Sequence, residues 1–279
     1  MTINIASRSS KLALAQVEEF VKHFKISDYK IIKVQTEGDK KSERGETLFD
    51  KANFVSDIQK CLLNGEADIA VHSAKDTPAK ETEGINRAFV ISKTPKDILI
   101  FREANDFNKA MRLGTSSLRR KLQAKHYLGT QSVFDLSGNI DTRLEKLYRG
   151  EYDCIILAKA GLERLDLLKE VNYKDMRWIT ASGQGTLAIE YPNDKNLLNW
   201  KENLDKSIDD SIRIQRSILE GINANCNSAI SIESNPNLLK ISGEIYGEKK
   251  YISFSGSSSS EAIEDIKKQD GLKLLNEHN

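Results

Sequence analysis

Hydrophobic and polar positions in the first ninety residues follow two alternating periods. Ala13, Val17, Phe20, Val21 and Phe24 recur at the spacing of one helix face, which predicts a helix over 10–24. Short β-rich runs at 3–6 and 31–36 flank it as strands. Phe54, Val55, Ile58, Cys61 and Leu62 mark a second helix. Residues 67–72 then form a nearly continuous apolar run, of the kind buried on both faces of a parallel sheet. This strand–helix–strand rhythm predicts a doubly wound α/β unit. Residues 37–47 are charged and polar, and read as a surface loop that moves.

A new unit begins after Thr94-Pro95. Its predicted elements are strands at 97–101, 133–136 and 153–158, with helices at 118–128, 139–148 and 161–168. From about residue 207 the texture changes. A helix over 209–221 leads into a polar loop, three short β-like runs follow (229–233, 239–246 and 250–255), and a serine run at 257–260 caps a closing helix. The expected architecture is α/β: two doubly wound lobes (1–94 with 184–206, and 95–183) and a small α+β C-terminal domain (207–279). No internal sequence repeat is evident. Tandem α/β lobes make a cleft, and ligands in such folds sit at strand carboxyl ends.

Composition narrows the chemistry. The net charge of +1 excludes a polyanion binder acting by bulk charge, so any anion site must be local. Of the 42 basic residues 29 are lysine and 13 arginine, which makes arginines inside motif text conspicuous. No apolar run approaches the ~20 residues of a membrane span, and the N-terminal stretch lacks the apolar core of a signal peptide. A cytoplasmic protein is expected, without membrane or nucleic-acid partners. Three cysteines in no metal spacing, and only four histidines, point away from a metal site and a disulfide framework.

The strongest motif is Gly114-Thr115-Ser116-Ser117-Leu118-Arg119-Arg120. It reads either as an N-cap followed by a solvated basic face, or as an anion site built from a helix N-terminus, hydroxyls and paired guanidiniums. Arg8, Ser9 and Ser10 repeat that design after the first strand. Lys75-Asp76 follows the apolar run at 67–72: a turn cap, or a carboxylate and an ammonium over a cleft. Arg143 lies in the first turn of its helix. Arg164, taken alone, reads as part of a solvated face, and Lys51 sits where it can close over a ligand. Cys61 and Cys154 read as inert core. Cys226, in a polar loop, is either a tolerated surface thiol or an attachment nucleophile.

The collinear segments IASRSSKLALAQ, TEGD, ADIAVHSAKDTP, LGTSSLRR, GNIDTRL, GEYDCIILAKAGLERL and SGQGTLAIE, with a lone cysteine beyond them, resemble the porphobilinogen deaminase (hydroxymethylbilane synthase) family nearly end to end. That resemblance implies a transferase of haem and tetrapyrrole biosynthesis. It would condense four porphobilinogen molecules head to tail on a cysteine-linked dipyrromethane primer, releasing ammonia at each step and finally hydroxymethylbilane. It maps primer attachment to Cys226 and the catalytic carboxylate to Asp76. Lys75, Thr115, Ser117, Arg119, Arg120 and Arg143 would bind the cofactor. Arg8, Ser10, Lys51, Arg143 and Arg164 would bind the substrate. Each pyrrole unit carries an acetate and a propionate, so such a cleft matches a growing polycarboxylate.

Three departures from the family pattern stand out. Ser137 replaces an arginine, Phe49-Asp50 replaces a glycine pair, and Ala224-Asn225-Cys226-Asn227-Ser228-Ala229 replaces a Gly-Gly-Cys-Gln-Val-Pro loop. Asn225 is expected to preserve the turn through a left-handed backbone. A reversible ligand-binding protein on the periplasmic-binding-protein plan and a degenerate, inactive deaminase are the competing readings. A monomer is expected.

Overall fold

A computed structural model describes residues 2–37, 55–103, 106–193, 203–225 and 227–278. The expectations placed on Lys51, Phe49-Asp50 and Cys226 fall outside the described residues.

The first sheet carries β1 (Ile3–Arg8), β2 (Tyr29–Val34), β3 (Ile69–Ser73), β4 (Ile85–Ser92) and a later strand, residues Thr186–Pro192. Its order is β2-β1-β3-(Thr186–Pro192)-β4, with β1 parallel to β2 and β3 and the later strand antiparallel to both neighbours. Helix α1 (Lys11–His23) covers one face, burying Val17, Phe20 and Val21 against Ile5, Ile69 and Val71. Helix α2 (Ser56–Leu63) covers the other, with Ile58 and Leu62 against Ala6 and Ala70. Adjacent strand residues point to opposite faces, so a strand packed on both sides must be apolar throughout. Each large side chain buried in this way contributes about 1.5–3 kcal/mol.

The second sheet is built from β5 (Asp97–Phe101), β6 (Leu113–Gly114), β7 (Val133–Phe134), β8 (Cys154–Ala158) and β9 (Asn172–Asp175), in the order β7-β6-β8-β5-β9. Strand β5 is antiparallel to β8 and β9, whereas β6 is parallel to β7 and β8. Helices α3 (Leu118–Gln123), α4 (Ile140–Tyr148) and α5 (Lys159–Arg164) accompany it. Numbered in chain order, Thr186–Pro192 is β10. The antiparallel strand holds the fourth place in each sheet, so the lobes share a strand plan that no sequence repeat announces. The chain crosses between them twice, from β4 to β5 and from β9 to β10. The second crossing uses Gly183 (φ +70°) and Gly185 (φ +88°). A Cβ on Gly185 would lie 2.6 Å from the Lys93 carbonyl oxygen of the first crossing, so the two strands of the hinge need glycine there.

The third sheet is an antiparallel meander of β11 (Ile230–Asn235), β12 (Lys240–Tyr246) and β13 (Tyr251–Gly256). It packs on α6 (Lys206–Gly221), α7 (Ser259–Lys268) and α8 (Gly271–Leu275). Helix α6 is shared. Its Ile218 and Leu219 sit in the core of the third sheet, while Ile212 packs on Ala74, Phe89 and Ala188 of the first lobe.

The doubly wound reading holds for both lobes. Strands β4, β6, β9 and β10 had no place in the pattern reading. The amphipathic run 118–128 is not one α-helix: it widens into a π-turn at Ala124–Leu128 and stops at Gly129, whose φ of +66° favours glycine.

Candidate functional site

A cleft of about 740 Å³ opens between the lobes and reaches the C-terminal domain. Its walls include Arg8, Ser10, Lys75, Asp76, Ser117, Arg119, Arg120, Arg143 and Arg164. A side recess of about 60 Å³ adjoins it, sharing Arg8, Ser10 and Asp76. Asn225, Asn227 and Ser228, which flank Cys226 in the chain, also line the cleft.

Local sequence explains the placement. Ser10 caps α1, its Oγ accepting from the Ala13 N–H at 3.3 Å, and Arg8 ends β1 beside it. Ser117 caps α3, accepting from the Arg120 N–H. Strand β3 ends in a single 3₁₀ turn, Ala74–Asp76, which carries Lys75 and Asp76 to the cleft. No hydrogen bond or ion pair to another described residue engages the Asp76 carboxylate. It acts through space on Arg120 and Arg143. Arg216, from α6, donates to the carbonyls of Ala74 and Thr77 (the latter at 3.0 Å) and so fixes the turn that bears Asp76.

The paired arginines are not on a solvated face. Both are buried on Asp97, at the head of β5. Arg119 Nη1 donates to its Oδ2 at 2.9 Å, and Arg120 Nε and Nη2 donate to its Oδ1 at 3.0 and 2.7 Å. Trp178 Nε1 and Gln184 Nε2 complete the shell at 3.1 and 2.9 Å. Burial alone would raise the Asp97 carboxyl, but Arg119 and Arg120 outweigh it and hold it well below the usual carboxylate range. Burial, reinforced by Arg120, pushes Arg143 down to about 10, with Asp76 opposing, so it stays charged at neutral pH. Its Nε donates to the Gly138 carbonyl at 2.7 Å.

Four expectations need correction. Thr115 does not line the cleft: it is buried, and its Oγ1 accepts from the Ser117 N–H at 3.2 Å, so it shapes the turn. Arg164 is buried rather than solvated. Its Nε donates to Glu19 Oε2 at 2.7 Å and its Nη2 to the Gly185 carbonyl at 2.8 Å, which ties the second lobe to α1 and the hinge. Asn225 does not adopt the left-handed backbone; Asn223 does, at φ +52°. Asn225 instead organises the loop with its side chain, Oδ1 accepting from the Asn227 N–H at 2.8 Å, while its own N–H donates to Ser228 Oγ at 3.0 Å. Of the two core cysteines, Cys154 is buried and its thiol pushed up to about 12 by burial, but Cys61 is only half-buried and donates to the Asp57 carbonyl.

Asp97, Gln184, Trp178 and Arg216 were missed as site residues. The available signal was Asp97 itself, a charge opening an otherwise apolar strand (DILIF), which must be paired when buried.

The fold and cleft define a two-lobed α/β protein whose cleft between the lobes is lined mainly by cationic side chains, with the carboxylates of Asp76 and Asp141 among them. The family model "Porphobilinogen deaminase, dipyromethane cofactor binding domain" matches residues 3–199, and the chain belongs to this family. A probable porphobilinogen deaminase of Ignicoccus hospitalis is 43% identical over 190 residues, 64% of this chain and 62% of the relative. The porphobilinogen deaminases of Deinococcus deserti (37%; 81% of this chain, 78% of the relative) and Streptococcus sanguinis (35%; 82% and 80%) align over more of the chain. The chain thus spans under two-thirds of the first relative's length and about four-fifths of the other two.

Proposed function

We propose that this chain catalyses the stepwise condensation of four porphobilinogen molecules and releases hydroxymethylbilane. The observation that supports this best is the carboxylate of Asp76, engaged by no hydrogen bond or ion pair to another described residue, in a cleft lined mainly by cations, where the other lining carboxylate, Asp141, is paired with Lys11 and where Asn225, Asn227 and Ser228 also lie. The donor set fits the family's dipyrromethane: Ser117, Lys75, Arg119, Arg120 and Arg143 suit its carboxylates. When bound, the cofactor supplies the nucleophilic pyrrole carbon on which the chain grows.

In this reading the arginines neutralise acetate and propionate groups without neutralising Asp76. Arg8 and Ser10, at the first-lobe wall, orient the incoming porphobilinogen. Asp76 stabilises the positive charge that develops on its pyrrole as the aminomethyl nitrogen departs as ammonia. Arg164 has its guanidinium on Glu19 and the hinge, so its contribution to substrate binding passes through lobe geometry. Cys226 forms the thioether to the primer. The matched residues of the family model end before it, so this attachment rests on its position in the sequence between Asn225 and Asn227, both of which line the cleft. A cytoplasmic monomer completes the proposal, and light scattering on the purified chain checks the oligomeric state.

Intact mass under denaturing conditions tests the core of this reading. The expected result is an excess of two linked pyrrole units that disappears in Cys226→Ser. A chain that stays unmodified after incubation with porphobilinogen would instead favour a reversible binder.

Ser137 lines the cleft at the position where the family pattern has an arginine. Ser137→Arg is expected to lower KM for porphobilinogen by up to about tenfold, the value of one charge-assisted hydrogen bond. Steady-state kinetics checks this, and an unchanged or raised KM means that another group already serves that carboxylate.

A further inference from the structure

The helix that presents Arg119 is wired to the C-terminal sheet by a directional chain of hydrogen bonds. Arg119 Nη1, besides its bond to Asp97, donates to Gln123 Oε1 at 2.6 Å. Gln123 Nε2 donates to the Ile179 carbonyl at 2.8 Å and to Tyr246 Oη at 2.7 Å. Tyr246 Oη donates to Glu244, and Tyr127 Oη donates to the same carboxylate at 2.6 Å. Gln123 and Tyr246 are fully buried.

The direction of this chain is forced. A tyrosine has one proton to give. Burial and the Glu244 carboxylate both push the Tyr246 phenol above its ordinary range, so it keeps that proton and gives it to Glu244. Its oxygen must then accept from Gln123. The Ile179 carbonyl makes the same demand on the amide nitrogen, so the amide oxygen of Gln123 is left for Arg119 alone. The amide cannot flip without setting its NH₂ against a guanidinium and its oxygen against a carbonyl.

The chain also touches the far side of the cleft. Tyr246 packs with Ala229 and Leu122, and its N–H donates to the Ala229 carbonyl at 2.9 Å. Ala229 directly follows the Asn225–Ser228 rim. Tyr246 therefore contacts both the helix that carries Arg119 and Ala229, which adjoins the cleft-lining Asn227 and Ser228.

We propose that Gln123, Tyr246 and Glu244 are positioning residues that fix the Arg119 guanidinium toward cofactor carboxylates and hold it in register with the cleft-lining residues Asn227 and Ser228. The inference rests on the reading of Arg119 as a cofactor contact. None of the three touches the ligand; they act through Arg119.

A double-mutant cycle with two readouts tests this. Tyr246→Phe removes only the hydroxyl and keeps the ring packing. The porphobilinogen concentration giving half-maximal primer loading of the apo-protein, read by intact mass, is expected to rise about fivefold in Tyr246→Phe. In an Arg119→Gln background the same change is expected to have no effect. No penalty in the parent, or an equal penalty in both backgrounds, overturns the proposal. The second readout needs no primer: the ¹⁵N side-chain resonance of Arg119, assigned by its loss in Arg119→Gln, is expected to shift and broaden in Tyr246→Phe. An unchanged resonance overturns the relay. If the parent chain fails to load, the functional reading fails, and the resonance alone decides the relay.

Discussion

Asp76→Asn is expected to fold, to acquire its primer and then to stall, with elongation slowed about 10²–10³-fold. The size follows from removing one preorganised electrostatic partner of a developing charge, which costs roughly that factor in other enzymes. Asparagine keeps the shape and the polarity, so the turn at Ala74–Asp76 and its clamp by Arg216 are untouched. What disappears is the carboxylate that the proposed mechanism sets against the developing positive charge. Its loss also removes the negative charge that offsets Arg143 across the cleft, while Arg120 keeps its ion pair with Asp97, so the anionic ligand is expected to be held at least as well while the cationic stage is not. The effect should therefore appear in kcat rather than KM. Intact mass gives the direct view: the variant should carry two pyrrole units and, after added porphobilinogen, show few species with three or more. Product formation at near the parent rate would remove Asp76 from the catalytic role.

This separation of roles is set by burial. Asp76 lies just beyond a strand end, and its carboxylate makes no hydrogen bond or ion pair with another described residue. Asp97, the other carboxylate near the arginines, takes donors from four side chains. One is available to a ligand and one is spent on architecture. Sequence alone did not separate them. Asp76 was legible because it follows an apolar strand inside a motif. Asp97 was not, because its partners come from α3, Trp178 and Gln184, between 22 and 87 residues away in the chain. The same limit explains Arg164. Its helix face was visible, but Glu19 and the Gly185 carbonyl reach it only once the lobes are assembled. Period and composition gave the apolar strands and amphipathic helices well, since each of those signals is local. Strand β10 escaped because it is an antiparallel return into a sheet built much earlier. The π-turn after α3 escaped because its period differs little from a helix over a single turn.

Asp97→Asn is the second large effect, and it falls on stability. The substitution leaves two buried guanidiniums facing a neutral amide, and breaking a buried ion pair from one side costs on the order of 3–5 kcal/mol. Arg119 and Arg120 would then repel each other without an intervening charge, so primer loading should weaken as well. The pH dependence gives the signature. With a native pKa held below that of the unfolded chain, Asp97 contributes its stability fully above the ordinary carboxylate range. That contribution is lost as pH falls, because the unfolded chain takes up a proton that the native protein refuses. The parent should therefore lose stability steadily from about pH 5 downward, and Asp97→Asn should start lower and fall less. Some slope should persist in the variant. In Glu190, burial raises the carboxyl, but His72 and Arg87 bring it down to about 2, so it adds a parallel acid dependence of its own. Denaturant unfolding at a series of pH values measures both curves. Parallel curves, displaced by a constant amount, would mean that Asp97 titrates alike in the native and unfolded chain. The two arginines would then be held by something other than its charge.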